Sequence, residues 1–350
     1  MEIAIFKVNQ LGDNVVFLPV VEELLRIAPD LGITLLTSPV AAPLFERCLA
    51  RDRIIVMERS AFNGAWRRPW VLAGLLRRLR RIRPEASLLS YDQGSVAHLL
   101  ARFSGGAVRV GSAHLGIRLP DGLTHRVACG PDMDIVAWNW EMGACFARAL
   151  GIDGWGTAPK PPDLSHLVGA PAPARGRPLV LIHPGASREY QRWPAAFYSE
   201  TASLLLSVAD VQWIDRPELT PHPLHPGIRR ITSPTTGDLV RRIASASLFL
   251  GNNSGPMHIA STLGVPTVVL TGPSFRAWDP AWHRERCEVL RRADLPCQPC
   301  DRLGWVPNVC LNRTAPLACL LRWTPAQVAD RCISLLRREG RLATGEGTGR

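Results

Sequence analysis

Leu248-Phe249-Leu250-Gly251-Asn252-Asn253-Ser254-Gly255-Pro256-Met257-His258 is the stretch on which the reading of this chain turns. Three bulky apolar residues form a buried-type strand, a Gly/Asn/Ser turn stops it, and Pro256 suits the first turn of a helix. The first amides of a helix have no partner within it and carry the positive end of its dipole. Asn253, Ser254, Gly255, Pro256 and Met257 therefore predict an anion pocket at a helix N-terminus. His258 lies one turn in, within reach of a phosphate oxygen; taken alone it reads equally well as a capped structural histidine. Gly264 ends the helix, and Val265-Pro266 leads into a second strand at residues 267–270.

Strand, tight turn, helix and strand make one unit of a parallel sheet, and the same alternation runs outward in both directions. Residues 179–182 (Leu-Val-Leu-Ile) form a strand ahead of it. In the first half, residues 3–6, 33–36, 54–57 and 87–90 read as strands, while Leu72, Leu75, Leu76, Leu79 and Ile82 repeat at helical spacing. Between Gly151 and Pro178 the sequence turns Pro-, Gly- and Ala-rich, as linkers do. The chain's 350 residues exceed one ordinary core and suit two α/β domains. The expected division is an N-terminal domain at 1–152, a linker at 153–178, a C-terminal domain at 179–338 and a disordered tail at 339–350. Sheets of this kind hold ligands at the carboxyl ends of their strands.

Two further motifs sit at such strand ends. Lys7-Val8-Asn9-Gln10-Leu11-Gly12-Asp13-Asn14 follows the first strand and opens a helix. Gly12 permits the tight turn, and a carboxylate at Asp13 can take a proton from a substrate hydroxyl. As spacing alone, Asp13 reads first as an N-cap worth about 1 kcal/mol. His183-Pro184-Gly185-Ala186-Ser187-Arg188-Glu189-Tyr190-Gln191-Arg192-Trp193-Pro194 joins a strand to a helix that Pro194 is suited to start. Its small residues let backbone amides approach an anion, and Arg188 and Arg192 add positive charge; the plain alternative is an ordinary loop with solvated arginines.

Gly12-Asp13 with Pro19, then His-Pro-Gly-Ala with Arg-Trp-Pro, then Ser-Gly-Pro-Met-His-Ile-Ala before Leu-Gly-Val-Pro-Thr-Val, resembles glycosyltransferase family 9, which includes the ADP-heptose:lipopolysaccharide heptosyltransferases. The resemblance covers roughly residues 1 to 335, and the three motifs in order carry it. It implies a GT-B fold of two Rossmann-like α/β domains whose parallel sheets face a central cleft. It further implies an inverting transferase that needs no metal or other cofactor for catalysis. The N-terminal domain would hold the acceptor, with Lys7, Asn9 and Gly12 on that side and Asp13 as general base. The C-terminal domain would hold the sugar nucleotide through Ser187, Arg188, Gln191, Arg192 and residues 253–258. An ADP-activated heptose is the first donor to consider, and a lipopolysaccharide-core or other glycan- or lipid-linked molecule the acceptor. Two positions depart from the pattern: a lysine usually stands where Gln191 does, and an aspartate where Asn253 does. Both departures bear on the donor's identity. Another nucleotide sugar, or a non-catalytic descendant that only binds nucleotide or glycan, are the alternatives.

Cys297, Cys300, Cys310 and Cys319 have the spacing C-x2-C-x9-C-x8-C, compatible with a structural zinc or iron and equally with reduced thiols. Seven arginines and no acid fall between Arg67 and Arg83, with Trp66 and Trp70 at one end. The leucine stripe among them is needed to cover a sheet; the arginine flanks could also touch an anionic membrane or a phosphorylated acceptor. The formal charge is +11, with Lys7 and Lys160 the only lysines. Such charge favours anionic partners, yet no helix-turn-helix, paired-finger or RNA-binding signature supports nucleic acid as one of them. No apolar run reaches membrane-spanning length, and residues 1–6 read as a strand instead of a signal peptide. The expected location is the cytoplasm, with peripheral contact at the cytoplasmic face of the inner membrane.

Overall fold

The structure, a computed structural model, describes residues 1–342 apart from 92–93, 113–121, 131–132, 170–175, 216–220, 293 and 302–306. Most of the tail expected at 339–350 and part of the linker expected at 153–178 therefore lie outside the described residues. The chain divides into two compact units, Met1–Asp163 and Leu164–Arg350.

The first unit holds strands β1 (Glu2–Lys7), β2 (Gly32–Thr37), β3 (Ile54–Val56), β4 (Ala86–Leu89), β5 (Val108–Ser112) and β6 (His125–Val127). Its helices are α1 (Leu11–Val15), α2 (Leu18–Ile27), α3 (Ala42–Phe45), α4 (Arg59–Asn63), α5 (Pro69–Ile82), α6 (Ser95–Ser104) and α7 (Ile135–Ala149). All strand pairs are parallel, in the order β3-β2-β1-β4-β5-β6. β1 is covered on both faces: Ile3, Ala4, Ile5 and Phe6 are all fully buried. That is why it reads as an unbroken apolar run, as central parallel strands do.

The second unit repeats the plan. Its strands are β7 (Leu179–His183), β8 (Asp210–Ile214), β9 (Ile228–Ile231), β10 (Leu248–Asn252), β11 (Thr267–Leu270) and β12 (Cys287–Leu290). Its helices are α8 (Ser165–Val168), α9 (Ala195–Leu205), α10 (Thr236–Ala244), α11 (Gly255–Thr262), α12 (Ala318–Leu321) and α13 (Pro325–Arg338). The order β12-β11-β10-β7-β8-β9 is again wholly parallel. Counted from each unit's first strand, both sheets run 3-2-1-4-5-6, the doubly wound dinucleotide-binding order. The strand order reverses between β1 and β4 in one unit and between β7 and β10 in the other. Those reversal points are where such sheets open a crevice for ligands.

Local chemistry explains the entries to the helices. Pro194 caps α9, and behind it Trp193 and Tyr198 lie in the core with rings edge-to-face at 4.8 Å. Gly264 takes φ +66°, the left-handed conformation that terminates α11. The chain from residue 153 to 163 packs on the first unit. Trp155 stacks beside Trp140 at 4.7 Å, and Gly156 donates its amide to Glu23 Oε1 at 2.7 Å.

Candidate functional site

In the first unit the reversal point gathers the β1–α1 turn and the end of β4. Asp13 stands in the first turn of α1, not at its cap: the cap is Gln10, whose amide donates to Asp13 Oδ2 at 3.2 Å. The Tyr91 hydroxyl donates to the other oxygen, Asp13 Oδ1. The carboxylate is thus oriented from both sides while remaining half-buried. Tyr91 itself is fixed: its ring lies 5.3 Å from Trp138, and its carbonyl accepts the Ser112 hydroxyl at 3.0 Å.

Lys7, Asn9 and Gly12 are all buried there. The Lys7 ammonium donates to Ser90 Oγ at 2.7 Å and lies 4.4 Å from the Tyr91 ring centroid and 5.4 Å from that of Phe17. A buried cation needs such company, since leaving water costs it several kcal/mol. Asn9 offers its carbonyl to Ser38 Oγ at 2.7 Å and to Asn14 Nδ2 at 3.3 Å. These three residues shape the turn that presents Asp13.

In the second unit the reversal point gathers the loops after β7 and β10, and one side chain ties them together. Asn252, fully buried at the end of β10, accepts the Trp193 amide at 2.9 Å and donates to the Pro184 and Gly185 carbonyls at 2.9 and 3.3 Å. Both predicted anion loops are thereby held as one piece. Ser254 caps α11 and donates to the Asn252 carbonyl at 3.2 Å; Asn253, Ser254 and Gly255 are half-buried, while Pro256, Met257 and His258 are buried. Arg192 donates to the Ala186 carbonyl at 2.9 Å, which folds the preceding loop back on itself.

The two departures from the family pattern are both occupied within the protein. Gln191 accepts the Ser187 hydroxyl at 3.1 Å and donates to Asp301 Oδ2 at 2.9 Å, while Tyr190 donates to Asp301 Oδ1 at 2.8 Å. Asn253 donates to Asp279 Oδ1 at 3.3 Å, and Arg291 reaches the same oxygen at 2.5 Å. Burial raises the Asp279 carboxyl above the usual aspartate range, partly offset by Arg291. Sequence reasoning passed over Tyr91, Asn252, Asp279 and Asp301. Only Asn252 carried a signal, as the polar residue that ends a buried apolar strand.

The cysteine cluster shows no metal-holding arrangement among the described residues. Burial, then the neighbouring thiols, push Cys300 up to about 11 and Cys319 up to about 12, so the four cysteines do converge. Yet among the described residues no three His, Cys, Asp or Glu side chains are arranged to hold a metal ion. The sulfurs make local hydrogen bonds. Cys310 Sγ accepts the Leu317 amide at 3.3 Å, Cys297 Sγ accepts Asn312 Nδ2 at 3.6 Å, and Cys300 Sγ donates to the Cys297 carbonyl at 3.1 Å.

Residues 234–304, which contain the whole of the 253–258 loop, match the model of glycosyltransferase family 9 (heptosyltransferase). A lipooligosaccharide heptosyltransferase 2 of Campylobacter jejuni is 24% identical over 177 residues, which is 46% of this chain. That match spans about half the length of the curated relative, 52%. Among solved structures, the E. coli heptosyltransferase WaaC with ADP superposes with TM-score 0.70 at 16% identity, covering 96% of this chain and 100% of that one. E. coli ADP-heptose lipopolysaccharide heptosyltransferase II gives TM-score 0.67 at 19% identity, over 97% and 100% of the two chains. Over residues 234–304 this chain carries the sequence of glycosyltransferase family 9, and over its described length it has the GT-B fold of that family's heptosyltransferases.

Proposed function

We propose that this protein is an inverting, metal-independent glycosyltransferase that moves a sugar, heptose first, from an ADP-activated donor to a hydroxyl of a lipopolysaccharide-core acceptor. The observation that carries the reading is the 253–258 loop, at a strand-order reversal, on the first turn of α11 and inside the family match. That loop offers the Ser254 and Gly255 amides and the dipole's positive end to a diphosphate. Arg188 and Arg192 stand in the companion loop, which Asn252 locks beside it.

The chemistry asks for one in-line displacement. The acceptor oxygen attacks the anomeric carbon as its proton passes to Asp13, and the bond from that carbon to the phosphate oxygen breaks. The electron pair leaves with the nucleoside diphosphate, whose developing charge meets amides and guanidinium groups already in place. Tyr91 and Gln10 hold Asp13 in one rotamer for that transfer. The acceptor's lipid link places the enzyme at the cytoplasmic face of the inner membrane as a peripheral protein.

A second reading keeps the mechanism and changes the donor. Gln191 is bonded at both ends of its amide within the protein, and Asn253 turns to Asp279, so neither offers the charge that the family pattern has there. Arginine and lysine grip phosphate differently, so a pair of arginines does not simply replace the missing lysine.

A panel of ADP, GDP, UDP, TDP and CDP and their sugar forms, read by thermal unfolding, tests both. A specific ligand at a hundredfold excess over Kd stabilises by about 2.7 kcal/mol. A shift confined to ADP forms is expected; a shift with another base transfers the reading to that donor, and no shift at all leaves a non-catalytic descendant. Asp13→Asn is expected to lower turnover about 10²- to 10⁴-fold with the nucleotide shift intact. Turnover near the parent rate in that variant rules Asp13 out as the base.

A further inference from the structure

The helix α5 and the turn before it leave a surface that the proposed transfer does not use. Leu75 and Leu79 are buried, with Val71, Leu72 and Leu76 packed on the same core. That settles the inward face: the leucine stripe covers the unit's own sheet. The opposite face, at the helical spacing Trp70, Ala73, Arg77, Arg81, is exposed throughout. Trp70 is 71% exposed and Trp66, in the preceding turn, 62%. The Arg67 guanidinium lies over the Trp66 ring at 4.8 Å, so apolar and cationic groups share this surface.

Charge on this face has one sign. Arg67, Arg68, Arg77, Arg78, Arg80, Arg81 and Arg83 are all exposed, and no Asp or Glu occurs between Glu58 and Glu85. Arg77, Arg80, Arg81 and Arg83 line a depression of about 600 Å³ with Ala73 and Leu76, large enough for a phosphate headgroup. Arg80 also donates to the Phe103 carbonyl at 2.9 Å, which brings a third exposed ring, 46% exposed, to the edge of the patch. Tryptophan belongs at the headgroup level of a bilayer, and clustered arginine beside it senses anionic lipid. Among the described residues no helix is long and apolar enough to cross a membrane, so any hold on one by these residues is superficial.

We infer that the outward face of α5, with Trp66 and Trp70 as anchors and its arginines as the charged floor, docks this protein on an anionic phospholipid bilayer. The inference deepens the proposed transfer to a lipid-linked acceptor and rests on that reading for its purpose, while its test needs no catalysis. The indoles enter the interfacial layer and the guanidinium groups pair with headgroup phosphates, an association that salt weakens.

The test is co-sedimentation of the full chain with vesicles of phosphatidylcholine alone or with about one-third phosphatidylglycerol. Arg77→Glu/Arg81→Glu and Trp66→Ala/Trp70→Ala are compared with the equally exposed pair Arg229→Glu/Arg337→Glu. Binding is expected only with the anionic vesicles, about tenfold or more weaker for the α5 charge pair, several-fold weaker for the tryptophan pair and within about twofold of the parent for the control. Equal losses in the α5 and control pairs would mean bulk charge alone and would overturn the inference. So would a parent protein that ignores the anionic vesicles, or one whose α5 arginines bind single-stranded DNA and not lipid. A failure here leaves the nucleotide-panel result standing, and the reverse also holds.

Discussion

Glu22 shows how one residue can set the acid–base behaviour of the fold. Burial raises its carboxyl from the usual 4.5 to about 7, against the pull of Arg47, while Glu22 Oε1 accepts the Asp163 amide at 3.0 Å. Below about pH 4.5 both folded and unfolded chains hold this proton. Between 4.5 and about 7 the unfolded chain releases it first, so the folded state loses stability as pH rises through that window. Glu22→Gln stays neutral and keeps the acceptor oxygen. It is expected to gain on the order of 1–3 kcal/mol at pH 8 and nothing at pH 4.5, read as melting temperature against pH. An equal change at both values would mean that the burial cost lies elsewhere. At the same scale, sequence could propose Asp13 but not its orienting partner. Tyr91 is far from it in the chain, and only strand pairing of β1 with β4 brings the two together.

At the scale of elements, the helix α7 and the segment after it depend on a position with no side chain. A Cβ at Gly143 would lie 2.5 Å from the Trp155 ring and 2.9 Å from Val20. Both neighbours are packed, Trp155 against Trp140 and Val20 in the core. Gly143→Ala is therefore expected to destabilise the protein by about 1–3 kcal/mol despite alanine's better helix propensity, with Trp155 displaced. A variant more stable than the parent would show that the ring yields freely. The strands legible from sequence were apolar runs: β1, β2, β4, β7, β10 and β11 lie inside their sheets, and β3, though at an edge, keeps Ile54 and Ile55 buried. β6, β9 and β12 escaped because these edge strands mix charged residues into the run. His125-Arg126-Val127 and Ile228-Arg229-Arg230-Ile231 carry charge where a central strand carries valine. Asp210-Val211-Gln212-Trp213-Ile214 pairs on both sides yet mixes polar and apolar residues too, so β8 had no clean period to read.

For the whole molecule, the repetition of one strand order in two units is the main structural fact. Each unit has its own core, and each places its candidate residues at its own reversal point. If the donor binds as proposed, ADP should slow amide hydrogen exchange at residues 183–193 and 251–262 and leave residues 1–163 near their free rates. Protection centred on residues 7–14 would put the nucleotide in the wrong unit and undo the assignment of the two halves.

The sequence by itself determined the alternating parallel plan, its division into two halves, the three strand-end loops and the family they resemble. Those features are local: an apolar run, a glycine turn and a proline at a helix start act within a dozen residues, where propensity and periodicity reach. Tertiary structure alone decided which distant side chains complete each loop. It set Tyr91 on Asp13, Asn252 across the two anion loops, and Asp301 and Asp279 on the altered positions Gln191 and Asn253. It also buried Cys300 and Cys319, left Cys297 and Cys310 half-buried, and gave the four no metal-holding arrangement among the described residues. Spacing along a chain fixes which side chains are available; their burial and hydrogen-bond partners depend on how the chain packs around them.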